Sequence, residues 1–194
     1  MEAHAEGRFS IVVGSSELEF VQRDNEGCFY HFAFNLAIGH FEGAKKYIQS
    51  RVPLNIEDNK DEVYFEYANG RAFYFEDPSN NIVEFIVREN FSEEMKGPFS
   101  INNLLNIAEI SLTTNDVRKH GKKLTDLGIP ERDGDVVDPN SLNFMGENGS
   151  YLLLGPTGRK WLFSQQFSVP YPITITLGDG RRICLNEKGE LELS

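Results

Sequence analysis

The chain has 194 residues, 40% hydrophobic and 12% aromatic, enough for one sizeable core or for two small units sharing one. A formal net charge of −11 argues against a nucleic-acid partner, which needs clustered Lys and Arg; only short pairs such as Lys122-Lys123 and Arg181-Arg182 occur. No apolar run reaches the roughly 20 residues that span a bilayer, the polar, acidic start is no signal peptide, and two cysteines, Cys28 and Cys184, make no disulfide framework and have no Cys or His at metal-binding spacing, so the expected protein is soluble and cytoplasmic, with a small-molecule partner and neither nucleic acid nor membrane.

Phe9–Val13 and Glu17–Val21 read as strands joined at Gly14-Ser15-Ser16. Phe29–Asn35, "FYHFAFN", is aromatic-rich and fits a third. From His40 the period changes. Phe41, Ala44, Ile48 and Val52 recur every three or four residues, predicting an amphipathic helix that ends by Pro53. Strands follow near Val63–Tyr67, Ala72–Phe75 and Ile82–Val87, then a polar stretch containing Gly97-Pro98. The order then repeats. Ile107–Thr113 alternates like a strand, and Asp116 is placed to cap a helix with Val117, Gly121, Leu124 and Leu127 on one face. Gly128 follows as its left-handed terminator. Strands at Ser141–Met145 and Tyr151–Leu154 complete the repeat, and Pro172–Leu193 reads as further strands around two glycine turns. The pattern predicts an α+β protein with helices packed on curved, mixed, largely antiparallel sheets.

Two residues sit oddly in these strands. Glu84 lies in "IVEFIV", apolar on both faces, where a lone carboxylate is costly unless hydrogen-bonded, paired or metal-bound. His31 lies in the equally apolar "FYHFAF". Imidazole and carboxylate together suit Fe(II), Mn(II), Zn(II) or Ni(II). A hydrogen-bonded core histidine and an ion-paired glutamate are the commoner uses of such residues. Spacing of about fifty residues does not decide between them. His4, His40 and His120 are weaker candidates, the last two expected to face solvent on Lys-rich helices.

"YHFAFN", the following helix and "FYFEDPSNNIVEF" resemble the βαβββ module of the vicinal oxygen chelate superfamily, which includes glyoxalase I, extradiol ring-cleaving dioxygenases and bleomycin-resistance proteins. The family turn is Asp-Pro-x-Gly-Asn. Here Asp77-Pro78-Ser79-Asn80-Asn81 carries Asn for Gly, the residue next best suited to positive φ. The resemblance implies paired modules forming a cleft: a partial module at 1–28 (its last two strands), a full module at 29–90, a linker at 91–106, a second module at 107–163 and a strand extension at 164–194. It implies His31 as the first-strand ligand and Glu84 as the last-strand ligand, Glu84 doubling as a catalytic base. The partner module is open. In the following unit Glu109 takes the first-strand place, but Leu153 stands where a glutamate is expected. In the N-terminal hairpin Glu19 takes the last-strand place, with the module's earlier strand and helix missing or completed by a second subunit in a homodimer. Phe29, Phe34 and Tyr74 are candidates to line a substrate cleft, core filling being their alternative use.

Two functions follow from the resemblance. One is a divalent-metal enzyme, glyoxalase-like or dioxygenase-like, that chelates a small substrate through adjacent oxygens. The other is a non-catalytic binder of the bleomycin-resistance type, or a degenerate protein without metal. A single histidine departs from the two-histidine-one-carboxylate set of Fe(II) oxygenases and weighs against ring cleavage.

Overall fold

A computed structural model describes residues 2–3, 7–23, 27–92 and 94–194. His4 lies outside the described residues. The chain divides into two compact units, residues 1–108 and 109–194, and the fold is α+β with mixed sheets, as the sequence pattern predicts.

The first unit opens on a small antiparallel sheet of β1 (Glu2–Ala3), β2 (Arg8–Val13) and β3 (Ser16–Val21). The β2–β3 turn is fixed by close backbone approach: a Cβ on Gly14 would lie 1.8 Å from the Leu105 carbonyl oxygen, and the Ser15 N–H donates to that same carbonyl at 3.1 Å. Together with β1 the hairpin forms a sheet of its own. Next come β4 (His31–Leu36), α1 (Phe41–Gln49), β5 (Val63–Phe65), β6 (Gly70–Glu76) and β7 (Ile82–Arg88), the βαβββ order. In the sheet they run β5-β6-β7-β4, with β8 (Leu104–Thr114) next to β4. β4 and β7 pair in parallel; β7, β6 and β5 pair antiparallel. α1 buries Phe41, Ala44 and Ile48, the stripe read from the sequence. Lys45, bonded to Asp61 and Glu62, and Arg71, bonded to Glu42 and Glu62, tie that helix to the β5–β6 edge.

The segment read as linker is structured at both ends. Ile38 and Glu94 form a β-bridge, Ser100 and Asn103 make a reciprocal capping box, and β8 begins at Leu104.

β8 continues into the second unit, which adds α2 (Val117–Asp126), β9 (Asn143–Glu147) and β10 (Ser150–Pro156) in the order β8-β10-β9. The Asp116 carboxylate accepts the Lys119 N–H at 3.2 Å, the expected cap, and Gly128 takes φ 85° at the end. A separate antiparallel sheet, β11 (Ile173–Thr176), β12 (Arg182–Leu185) and β13 (Leu191–Leu193), closes the chain.

The expectation that His40 and His120 face solvent is corrected: they are 2% and 3% exposed. Residues 94–99 lie close over the start of α1, where a Cβ on Gly39 or Gly43 would come within 2.9 Å of the Met95 carbonyl or 2.8 Å of Phe99, and the Phe99 ring packs edge-on to His40. His120 follows Val117 by three residues and so shares its buried stripe. Lysines at neighbouring positions mark the other faces of a helix, not its histidine's. No helix among the described residues is long and apolar enough to cross a membrane.

Candidate metal centre

The turn Asp77–Asn81 places β7 beside β4. The Asp77 carboxylate accepts the Ser79 and Asn81 N–H groups at 2.8 and 2.9 Å and the Asn81 side-chain amide at 2.8 Å. Asn80 adopts φ 62°, the left-handed geometry asked of it. The Asn81 side-chain oxygen then accepts the Tyr30 N–H at 2.8 Å, and Ile82 N–H donates to the Tyr30 carbonyl at 2.8 Å. One turn thus sets the register His31 opposite Ile82 and Ala33 opposite Glu84. In that register His31 and Glu84 share a face, two positions apart along the paired strands.

Their side chains meet. His31 Nε2 lies 3.4 Å from Glu84 Oε2, both side chains within 4% of full burial. His31 Nδ1 lies 3.2 Å from the Ile82 carbonyl oxygen. A carbonyl only accepts, so Nδ1 carries the hydrogen and Nε2 is the nitrogen turned to the carboxylate. Fixing the tautomer through a backbone carbonyl is the usual support of a metal-ligating histidine. Tyr74, opposite Glu84 on β6, is buried with its ring 6.3 Å from the imidazole.

Glu109, the first residue beyond Ala108 on β8, is buried at 5% exposure. One ligand atom from each of His31, Glu84 and Glu109 lies within 4.8 Å of the others. Bonds of about 2.0–2.2 Å put two ligand atoms of one ion at most about 4.4 Å apart, so a small inward shift would let this imidazole and these two carboxylates share one. The donor set therefore fits a divalent ion.

The other candidates lie elsewhere. Glu19 is on the N-terminal hairpin with a side chain 45% exposed, ion-paired to Arg8 at 2.9 Å, and is not part of this group. Phe34 points to the opposite face of β4 from His31 and packs edge-on against Phe32 and Phe85 in the core. Phe29 is partly exposed ahead of β4. The sequence reading missed Arg88, buried at 2% on the same face of β7 as Glu84, donating to Asn35 at 3.1 Å, with Asn35 donating on to Asn106 at 2.7 Å. The signal was parity: Arg88 is Glu84 plus four, and Asn35 is His31 plus four.

Residues 107–159 match the family model of the toxoflavin-degrading enzyme. That family is one of the vicinal oxygen chelate superfamily, which agrees with the resemblance seen in residues 29–88, a part of the chain the match does not cover. No curated protein matches the chain.

Proposed function

We propose that the chain is a metal-dependent enzyme of the vicinal oxygen chelate type, acting on a small molecule with two adjacent oxygens. The observation that carries this is the buried His31–Glu84 contact at 3.4 Å, with the Glu109 carboxylate in the same group. His31 Nε2 and the carboxylates of Glu84 and Glu109 would hold a divalent ion, Fe, Mn, Zn or Ni. Bound there, the ion supplies Lewis acidity to the substrate oxygens. The Ile82 carbonyl keeps the imidazole in the ligating tautomer. Glu84 accepts a substrate proton at a carboxylate oxygen, and burial keeps bulk water from competing for it. A single histidine favours lyase or isomerase chemistry over ring cleavage. The name of the matched family makes toxoflavin the first substrate to try.

A second reading rests on the same contact. With a proton in place of the ion, His31 and Glu84 close on each other as a buried pair, and the protein is a metal-free binder of the bleomycin-resistance type.

Metal content of protein purified without chelator, compared with His31→Ala and Glu84→Gln, separates the two. Stoichiometric divalent metal in the parent and its loss from both variants supports the enzyme. Background metal in all three sinks it. With metal present, oxygen uptake during turnover of toxoflavin or a catechol would overturn the lyase assignment.

A further inference from the structure

α2 is joined to the C-terminal sheet through His120. Thr114 Oγ1 donates its only hydrogen to the Gly189 carbonyl at 2.7 Å, so toward His120 Nδ1, 2.8 Å away, it acts as an acceptor and Nδ1 carries the hydrogen. Nε2 then accepts the Leu191 N–H at 3.4 Å. The neutral imidazole is thus donor on one side and acceptor on the other, joining the end of β8 to the first residue of β13. Leu191 is 2% exposed and its carbonyl accepts from Lys123 at 2.6 Å. Apart from that lysine contact and Arg181, which donates to the Leu127 carbonyl, the polar ties of this sheet to β8 and α2 run through Thr114 and His120 among the described contacts.

We propose that His120 is a pH-sensitive clasp that holds the C-terminal sheet onto α2 when neutral and releases it when protonated. A second proton at Nε2 would point at the Leu191 N–H, setting donor against donor in a buried space. The charged groups around the ring are Lys123 and Lys119 on α2, Asp116 at its cap and Glu190 in the turn before β13. Burial, then Lys123 and Lys119, hold the imidazole below its ordinary value; Asp116 and Glu190 oppose them with less weight. The linkage has one sign. A histidine whose folded pKa is depressed contributes stability that is complete above its ordinary value of about 6.5 and is lost as pH falls through the folded value. Each unit of depression corresponds to about a tenfold change in the closed-to-open ratio.

Hydrogen exchange of the Arg182–Leu193 amides, corrected for intrinsic rates, tests this on either side of about pH 6.5. The expected result is a drop in protection of about tenfold or more on acidification, confined to this sheet and α2, with β4 and β7 unchanged. In His120→Gln, whose amide oxygen accepts from Leu191 at any pH, the step should vanish. The same step in parent and His120→Gln overturns the proposal, as does a uniform loss across the chain. Should that variant fail to fold, the ring resonances of His120 in the parent decide: a titration midpoint that tracks the exchange step supports the clasp, and one that does not rejects it.

Discussion

The two repeats share a register and differ in what they place on it. In the first, Ala33 of β4 faces Glu84 of β7, two residues after His31. In the second, Ser111 of β8 faces Leu153 of β10, two residues after Glu109. The parallel pairing and the offset are the same, yet the last-strand position is a carboxylate in one and a 2%-exposed leucine in the other. Backbone geometry thus gives each repeat two equivalent positions, and side-chain choice fills three of the four with groups able to ligate a metal.

The comparison breaks hardest at Glu84. In metal-free protein, Glu84→Ala should cost about 3–5 kcal/mol, because it removes one member of a buried pair. The double substitution His31→Leu/Glu84→Leu should recover most of that in urea melts, since a buried pair replaced by apolar groups is often near neutral. An additive double variant would show that the two do not interact. Metal retention should be lost in both. Making the second repeat look like the first is the next largest effect. Leu153→Glu buries a further carboxylate at a 2%-exposed position and should lower the unfolding free energy from urea melts of metal-free protein by several kcal/mol at neutral pH. The loss should shrink as pH falls toward the range in which a buried carboxyl is neutral. A midpoint unchanged from the parent would mean that the second repeat already tolerates charge there.

How much of this the sequence announces depends on the range of the interaction. The turn Asp77–Asn81, the α1 stripe and the Asp116 cap are local, set by residues within four or five positions of one another, and they are legible. Glu84 was suspicious from strand parity alone. That His31 meets it is set by a parallel pairing between residues 51 apart, which no local pattern encodes. Glu19 and Glu109 show the limit. Each alternates with apolar neighbours and shares its strand face with polar ones, each fits a ligand place by resemblance, and only burial separates them: one is ion-paired to Arg8 in solvent, the other is enclosed. His120 was hidden by its neighbours Lys119, Lys122 and Lys123, although its spacing from Val117 and Leu124 already put it on the buried stripe.

The units should also separate on acidification. In the first, burial alone would raise the Glu62 carboxyl, but hydrogen bonds from Lys45 and Arg71 outweigh it and hold the group below its ordinary value. Its contribution is present above about 4.5 and lost as pH falls through the folded value. In the second, His120 begins to lose its contribution below about 6.5. Segment-resolved exchange over a pH series should therefore show the C-terminal sheet loosening before the α1–β5 edge. Glu62→Gln should flatten only the lower limb. A single limb common to both units would mean that neither group governs its own.

The smallest effects belong to the turns before the last strands. Asn80, ahead of β7, has φ 62°, and Asn148, ahead of β10, has φ 54°. Glycine relieves left-handed strain but adds freedom to the unfolded chain, so Asn→Gly at either site should change stability by less than about 1 kcal/mol. The two should nevertheless differ. Asn80 sits inside the Asp77 hydrogen-bond cage, which already holds its backbone through the Ser79 and Asn81 amides. Asn148 is followed by Gly149 at φ 80°, in a turn that already contains the most permissive residue. Added freedom at Asn148→Gly thus falls on a Gly-Gly pair, and that variant should be the less stable of the two in paired urea melts. Equal midpoints would mean that the cage does not stiffen the turn beyond its own backbone preference, and that the position of Glu84 owes more to the β4–β7 pairing than to "DPSNN".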